Sequence, residues 1–423
     1  MRIGGLSHWI PLLARYSAGQ LLILVINLIT GFLILRFLSI SEYAIYILAS
    51  LLQTVGSLGT DLGMSQGVVS LGAPIREDKA AFGSLVRSAM RLRRKLFLAV
   101  VPIVLVIAYM LLHGNESRIE IAIAVTVLAL AIAWVQQSGS IATAALNANH
   151  DSSGLLRAGV GSGIVRLILV AIVCSSAPYA VAAMVINLVG AVVNSGMLWR
   201  RCGQYLGIIG QEMQDNSDKL ASFMKPLLPG IIYYLVQGHV STFVLALAGT
   251  TVAVAEVGAL GRLGQIIGVL TLLNGFFVQP YFARVTDRAR FANRAGQMAL
   301  ILGLGFAIVT ASSILAPGAW LLVLGPQYDG LTSELTIALL GAQLSVAGAI
   351  LYTIVIATGR TRGQWLQIAM GVGAQLTFLA IFDVKGTREA LVLNLLPAAT
   401  YAVLQCGLLI HVLVTWNRNA RTS

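Results

Sequence analysis

Long apolar stretches alternate with short polar ones along the whole chain. Apolar windows fall at 16–38, 43–71, 95–113, 119–146, 155–176, 179–199, 227–249, 252–283, 296–315, 331–358, 364–382 and 390–415. A bilayer-spanning helix needs about 20 predominantly apolar residues, and each window reaches that length. The apolar runs are continuous rather than alternating, which excludes a transmembrane β-barrel. The pattern predicts an all-α polytopic membrane protein with about twelve transmembrane helices. The second, fourth, eighth and tenth windows exceed what a straight span needs. They are expected to tilt, break or extend beyond the bilayer.

Composition narrows the class. Of 423 residues, 57% are hydrophobic and only 10% are charged. A soluble domain carries about 25% charged residues, so a water-facing surface is excluded, and the apolar content excludes disorder. Cys174, Cys202 and Cys406 are scattered and odd in number, which fits neither a disulfide framework nor a zinc site. The first window is long and lacks a small-x-small cleavage site after it, so it reads as a retained span.

The formal charge of +12 raises the question of nucleic acid, and the placement of the charges answers it. With the N-terminus in the cytoplasm, inside segments hold 22 of the 28 Lys and Arg residues. They are Arg2, Arg15, Arg76, Lys79, Arg87, Arg91, Arg93, Arg94, Lys95, Arg157, Arg200, Arg201, Lys219, Lys225, Arg284, Arg288, Arg290, Arg294, Arg360, Arg362, Arg418 and Arg421. Outside segments hold Arg36, Arg118, Lys385 and Arg388, while Arg166 and Arg262 lie within spans. The asymmetry predicts that both termini are cytoplasmic and that the number of spans is even. The charge therefore serves orientation and contact with anionic membrane lipids, and nucleic acid is discarded as a partner.

The polar loop 200–226 divides the windows six and six. The expected organisation is an N-terminal six-helix bundle (1–199), a cytoplasmic linker (200–226) and a C-terminal six-helix bundle (227–423). Six spans keep both halves in one orientation, so a repeat would be parallel and would surround a central cavity. At an offset of 214, Ser41-Glu42-Tyr43-Ala44 aligns with Ala255-Glu256-Val257-Gly258, and Gln20 and Asn27 align with Tyr234 and Ser241. Each glutamate falls at the outer start of an even-numbered span, where a carboxylate suits a helix N-terminus.

Charges inside a bilayer are costly, by about 2.5–3.5 kcal/mol per residue on insertion scales, and so mark candidate function. Arg166 lies about 16 Å into the fifth window, Arg262 about 9 Å past Glu256, and Asp61 about 27 Å along from Tyr43. In the second window Ser50, Gln53, Thr54, Ser57, Asp61 and Ser65 share one helical arc. Gln20 and Asn27 in the first window, and Tyr234, Gln237 and Ser241 in the seventh, are further polar positions. Such stripes are expected to line a water-filled cavity, because lipid cannot satisfy them. Gly159 and Gly163 share a face with Arg166; Gly258, Gly261, Gly264 and Gly268 form another, edged by Arg262 and Gln265. Glycine faces serve helix packing or a substrate path. Asp61 is a candidate for ion or substrate contact, or a partner for a nearby arginine. Arg36 snorkels outward or lines the cavity. Arg15 stands at the inner mouth of the first span. His239, off the polar stripe, reads as structural. HExxH, GxSxG and Walker motifs are absent, and the outer loop 316–330 holds one charge, Asp329; enzymatic catalysis and a bound cofactor are not expected.

The stretch Leu35-Arg36-Phe37-Leu38-Ser39-Ile40-Ser41-Glu42-Tyr43-Ala44-Ile45-Tyr46, followed by Thr60-Asp61-Leu62-Gly63-Met64-Ser65-Gln66-Gly67, resembles the first two helices of polysaccharide-exporting flippases. These form the O-antigen and oligosaccharide branch of the multidrug/oligosaccharidyl-lipid/polysaccharide exporter superfamily. Ser84-Leu85-Val86-Arg87-Ser88-Ala89 and Pro280-Tyr281-Phe282-Ala283-Arg284 resemble the same branch. The resemblance implies a bacterial inner-membrane flippase that carries a lipid-linked oligosaccharide on an undecaprenyl-diphosphate-type lipid. It also implies work beside polysaccharide polymerase or export machinery. Under that implication Arg166, Arg262, Arg15 and Arg36 would meet the diphosphate, since the guanidinium fork pairs phosphate oxygens. Asp61, Gln53, Ser57, Gln20, Asn27, Tyr234, Gln237, Ser241 and Gln265 would face the sugars or a coupling ion. Multidrug exporters of the superfamily often carry an acid in helix 1, and Tyr16–Leu38 has none. The lipid II flippase branch typically has fourteen helices. A cation-coupled drug exporter and a membrane polymerase or transferase are the alternative functions.

Overall fold

The computed structural model describes residues 6–113, 119–207, 214–272, 274, 278–283, 285, 287–358 and 363–416. It describes their side chains except at 6–16, 112, 113, 214, 215, 234, 272, 280 and 283. Arg2, Arg118, Arg284, Arg360, Arg362, Arg418 and Arg421 of the charge count lie outside the described residues.

The described secondary structure is helical throughout. The first part of the chain forms α1 (Leu6–Phe37), α2 (Ile40–Asp61), α3 (Met64–Gly72), α4 (Lys79–His113), α5 (Ile119–Ala148), α6 (Ser152–Ser176), α7 (Ala180–Cys202), α8 (Gln214–Met224) and α9 (Leu228–Gln237). The remainder forms α10 (Val240–Ala248), α11 (Thr251–Gly268), α12 (Gln279–Ala283), α13 (Arg288–Leu315), α14 (Pro317–Leu324), α15 (Thr332–Ile356), α16 (Leu366–Ile381) and α17 (Thr387–Val414). Among the described residues, ten helical stretches are long and apolar enough to cross a membrane, and Asn216–Gln237 with Val240–Ala248 makes an eleventh if read as one broken span. The 16-residue α16 is a shorter apolar helix at the eleventh window. The chain is thus an all-α polytopic membrane protein. Large apolar side chains lie on its surface, among them Leu98 at 72%, Ile119 at 75% and Leu315 at 83% exposure. In water such a surface would drive association, whereas acyl chains solvate it.

Local chemistry sets the helix ends. Ser39, Asp151, Thr250 and Asp287 cap α2, α6, α11 and α13 by accepting from backbone N–H groups three residues on, satisfying donors that a first turn leaves open. The long second window breaks after Asp61, where Leu62 (φ 41°) and Gly63 (φ 84°) enter the left-handed region. Gly63 suits that conformation, and a β-carbon there would also meet Leu227 and Ile231 at 3.1 Å. The eighth window ends its regular helix at Gly268, while the fourth and tenth stay unbroken as α5 and α15. His239, expected in mid-helix, sits in the turn between α9 and α10.

The chain forms two compact units, Met1–His239 and Val240–Ser423. In the first, α5 packs on α2, α3, α4 and α7, and α6 joins α1 to α7. The polar linker contributes α8, whose Leu220 and Met224 enter the buried cluster around Phe82, Leu146 and Cys202. In the second, α15 packs on α11, α13 and α17, with α16 against α17. Span by span, the second pairs with the fourth, the fourth with the sixth and the fifth with the sixth in both units. The aligned glutamates repeat too. Glu42 of α2 accepts the Ala180 N–H at the start of α7 (2.6 Å). Glu256 of α11 accepts the Thr387 hydroxyl at the start of α17. Both reach the N-terminus of the sixth span of their half, where a carboxylate is favoured.

In the second unit, Gly348 on α15 lies against the Tyr401 ring of α17; a β-carbon would sit 2.5, 2.9 and 3.0 Å from three ring carbons. The near ring carbons of a half-buried tyrosine cannot swing away as the end of a flexible side chain does, and overpacking costs about 1–3 kcal/mol. Gly348→Ala is expected to lower the thermal unfolding midpoint in detergent. An unchanged midpoint would show that α15 and α17 are not in this close contact.

Candidate functional site

The first unit holds a polar layer built around Arg166. On α6, Gly159 and Gly163 let α1 approach closely: β-carbons there would stand 2.5 Å from Ile23 and 3.0 Å from Ile26. This glycine face is a packing surface, and it brings Asn27 of α1 beside α6. The guanidinium of Arg166 donates to Asn27 Oδ1 (2.9 Å). Its aliphatic stem lies across Gly190 of α7, with stem carbons 3.4–3.6 Å from where a β-carbon would be. Arg166 is about 21 Å along α6 from Ser152, at roughly 1.5 Å per residue, and so lies deep within the span. Neighbouring turns of α7 extend the layer. Asn187 donates to Tyr46 of α2 (3.2 Å), and Asn194 accepts from Ser162 of α6 (3.4 Å). Neither asparagine stands out among the candidate residues in sequence. Their signal was present in the spacing: Asn187, Gly190 and Asn194 fall at i, i+3 and i+7.

The polar arc of α2 divides its hydrogen bonds within the same unit. Ser50 and Thr54 donate to carbonyls one turn back in their own helix (2.8 Å each). Ser57 donates to Gln136 of α5 (3.0 Å), and Gln53 is half-buried. Asp61 accepts from Ser65 (2.6 Å) and forms an ion pair with Arg93 of α4 (2.6 Å). The Arg93 side chain is only 3% exposed, against 26% for Asp61. A second Arg93 nitrogen donates to the Gln137 carbonyl of α5. Arg93, counted from sequence with the orienting charges, is therefore a buried structural partner of Asp61 and joins α2, α4 and α5.

The other candidates of this unit lie on α1 and α9. Gln20 is half-buried on α1, Arg36 is exposed in its last turn, and Gln237 is half-buried at the end of α9. The side chains of Arg15 and Tyr234 lie outside the described residues.

In the second unit a cavity of about 310 Å³ opens between α11, α15 and α17. Gly261 and Gly264 line it with Gln265, Ser345 and Asn394 as its polar groups. The glycine face of α11 thus borders space, unlike that of α6. Arg262 is half-buried on the same helix, about 16 Å along from Thr251. Ser241 is buried on α10 at 1% exposure.

A separate polar cluster closes one end of the first unit. Asp151 Oδ2 accepts from Arg201 Nε (2.6 Å) and the Tyr205 hydroxyl (3.0 Å), and Oδ1 accepts from Gly154 N–H (3.0 Å) and Ser153 (2.9 Å). Burial alone would push this carboxyl up; the donors, led by Arg201, outweigh it and hold it down at about 2. A carboxyl depressed in the folded state stabilises above its unfolded value near 4, and the benefit is lost as pH falls through about 2. The contribution is about 1–2 kcal/mol once solvent screening at the partly exposed Arg201 is allowed for. Asp151→Asn is expected to lower the unfolding midpoint at pH 6, and the gap from wild type should close towards pH 2. A gap independent of pH would refute the linkage.

No protein-family model and no curated protein sequence matches the chain. Solved structures do match in fold. The lipid II flippase MurJ in an inward closed conformation aligns over 94% of this chain and 87% of its own, with TM-score 0.73 and 14% identity. An inward-facing multidrug resistance MATE family transporter of the MOP superfamily aligns over 93% and 96%, with TM-score 0.65 and 15% identity. The eukaryotic MATE transporter AtDTX14 aligns over 96% and 97%, with TM-score 0.58 and 14% identity. The chain shares their fold.

Proposed function

We propose that this protein is a transporter of the multidrug/oligosaccharidyl-lipid/polysaccharide exporter superfamily that carries a lipid-linked oligosaccharide across the bacterial inner membrane. The carrier lipid bears a diphosphate, and the sugar head passes from the cytoplasmic to the outer leaflet by alternating access, with both termini cytoplasmic. One observation carries the choice of an anionic cargo. Beyond the first turns of the ten long apolar helices, the carboxylates are Asp61 and Glu256. The first is held by Arg93 and Ser65 and the second by Thr387. Arg166 lies deep in its span and donates to Asn27, and the neighbouring turns carry the neutral groups of Tyr46, Asn187, Ser162 and Asn194.

The chemistry is recognition without bond making. A diphosphate entering hydrocarbon must exchange its hydration shell for fixed donors, and a guanidinium that stays charged supplies them in pairs. Sugar hydroxyls exchange hydrogen bonds with amides such as Asn27, Gln53 and Gln265. The polyprenyl tail remains in the lipid. A membrane polymerase is disfavoured because the outer loop is built around the short apolar helix α14 rather than clustered ionisable groups. A second reading has its own support: the largely apolar cavity between α11, α15 and α17 suits an amphipathic small molecule. The purified protein in proteoliposomes decides between them. A fluorescent undecaprenyl-diphosphate oligosaccharide should become accessible on the opposite leaflet faster than in empty vesicles, and a lipophilic cation such as ethidium should not be moved. Cation movement without lipid translocation would overturn the proposal.

A further inference from the structure

We infer that the first unit carries a binding pocket for a phosphate group at the membrane interface, formed by α4 and α5 and separate from the Arg166 layer. A pocket of about 130 Å³ is lined by Met90, Arg93, Arg94, Trp134, Gln137 and Ser138. Its polar groups are arranged to donate, and no carboxylate lines it. Gln137 is 4% exposed and Arg93 2% exposed, yet Gln137 Nε2 and Arg93 Nε have no hydrogen-bond partner. Buried donors left unmade are costly and are normally satisfied by protein or a bound group. The Ser138 oxygen already accepts from Trp199 Nε1 (2.6 Å), which leaves its O–H to donate elsewhere. Arg93 is neutralised by Asp61, so the net positive charge at the pocket comes from the exposed Arg94. Donors, a cation and no acid define an anion site, and the fork of Arg94 suits phosphate.

The surroundings are those of a lipid headgroup region. Trp134 is 45% exposed and packs edge-on against Phe97, with ring centroids 5.0 Å apart. Lys95 beside Arg94 is exposed, and Leu98, one turn further along α4, is 72% exposed. Basic residues followed by aromatic and then aliphatic ones mark a membrane–water boundary. Gln137 lies about 27 Å along α5 from Ile119, near the far edge of a hydrocarbon core about 30 Å thick. The phosphate of an anionic phospholipid, the phosphate of a polyprenyl lipid and a free phosphate ion share the chemistry the pocket reads.

Native mass spectrometry of the full chain in detergent separates these sources, using phosphatidylglycerol, phosphatidylcholine, undecaprenyl phosphate and inorganic phosphate as probes. Wild type should retain a phosphate-bearing probe, and Arg94→Gln should weaken that retention about tenfold, the value of one charge-assisted hydrogen bond. Arg94 is exposed, so this variant should fold. Preference for phosphatidylglycerol over phosphatidylcholine names a bulk anionic lipid as the source. Preference for undecaprenyl phosphate names the carrier lipid, and saturable inorganic phosphate names the free ion. Arg200→Gln, a second exposed cation, should leave retention unchanged. Retention equal in wild type and Arg94→Gln, or lost equally in Arg200→Gln, would overturn the inference.

Discussion

Arg166→Ala is expected to slow lipid-linked oligosaccharide translocation by about ten- to a hundredfold while leaving a folded protein. One charge-assisted hydrogen bond to a buried anion contributes about 1.5–3 kcal/mol, which corresponds to that range. The cost to folding should be small. Truncation removes a bond to Asn27, which is exposed, and the stem lost from Gly190 is aliphatic. Arg166→Lys should recover part of the rate, because the charge remains but the two-pronged donor does not. Arg262→Ala in α11 should behave likewise. Initial rates in proteoliposomes, beside size-exclusion profiles and unfolding midpoints, separate loss of transport from loss of fold. Full activity in both alanine variants would remove these residues from the transport path.

The second large effect concerns the ion pair between α2 and α4. Asp61→Ala is expected to destabilise the first unit by about 3–5 kcal/mol, because it strands a guanidinium that is almost fully buried. Arg93→Met should cost less. The carboxylate it leaves behind is 26% exposed and keeps its bonds from Ser65, while methionine refills part of the stem volume. The pair Asp61→Ala with Arg93→Met should be more stable than the sum of the two single changes predicts, since neither charge remains. Denaturant or thermal unfolding of the four proteins tests this. Strict additivity would show that the two groups do not interact. Transport by a well-folded double variant would assign Asp61 a structural role, and its loss would assign Asp61 a role in coupling as well.

The sequence made the architecture legible because hydrophobic periodicity is a local property. Windows such as 155–176 and 179–199 coincide with α6 and α7 to within a few residues. Boundaries failed where charge and helix disagree. The basic run before residue 95 reads as loop, yet α4 begins at Lys79, since lysine and arginine are good helix formers whatever solvent they face. The same confusion hid Arg93 among its topogenic neighbours. An intramembrane Asp61 called for a cationic partner, but spacing within one helix cannot say which residue of another helix approaches it. Arg166 stood out because an intramembrane charge is rare. Its companions Asn187 and Asn194 did not, because asparagine in a span is cheaper. The two glycine faces looked alike in sequence and differ in structure. Against Ile23 and Ile26 one is filled, while around Gly261 there is room for a cavity. That difference lies in the facing helix, which the glycine pattern does not encode.

Equilibrium binding of an undecaprenyl-diphosphate oligosaccharide to the nanodisc-embedded protein is the sharpest test, with wild type set beside the double change Arg166→Gln and Arg262→Gln. Saturable binding to wild type, lost or weakened at least tenfold in the folded double variant, is the expected result. Equal affinity in the two proteins would mean that the intramembrane guanidiniums hold helices together and do not receive the diphosphate.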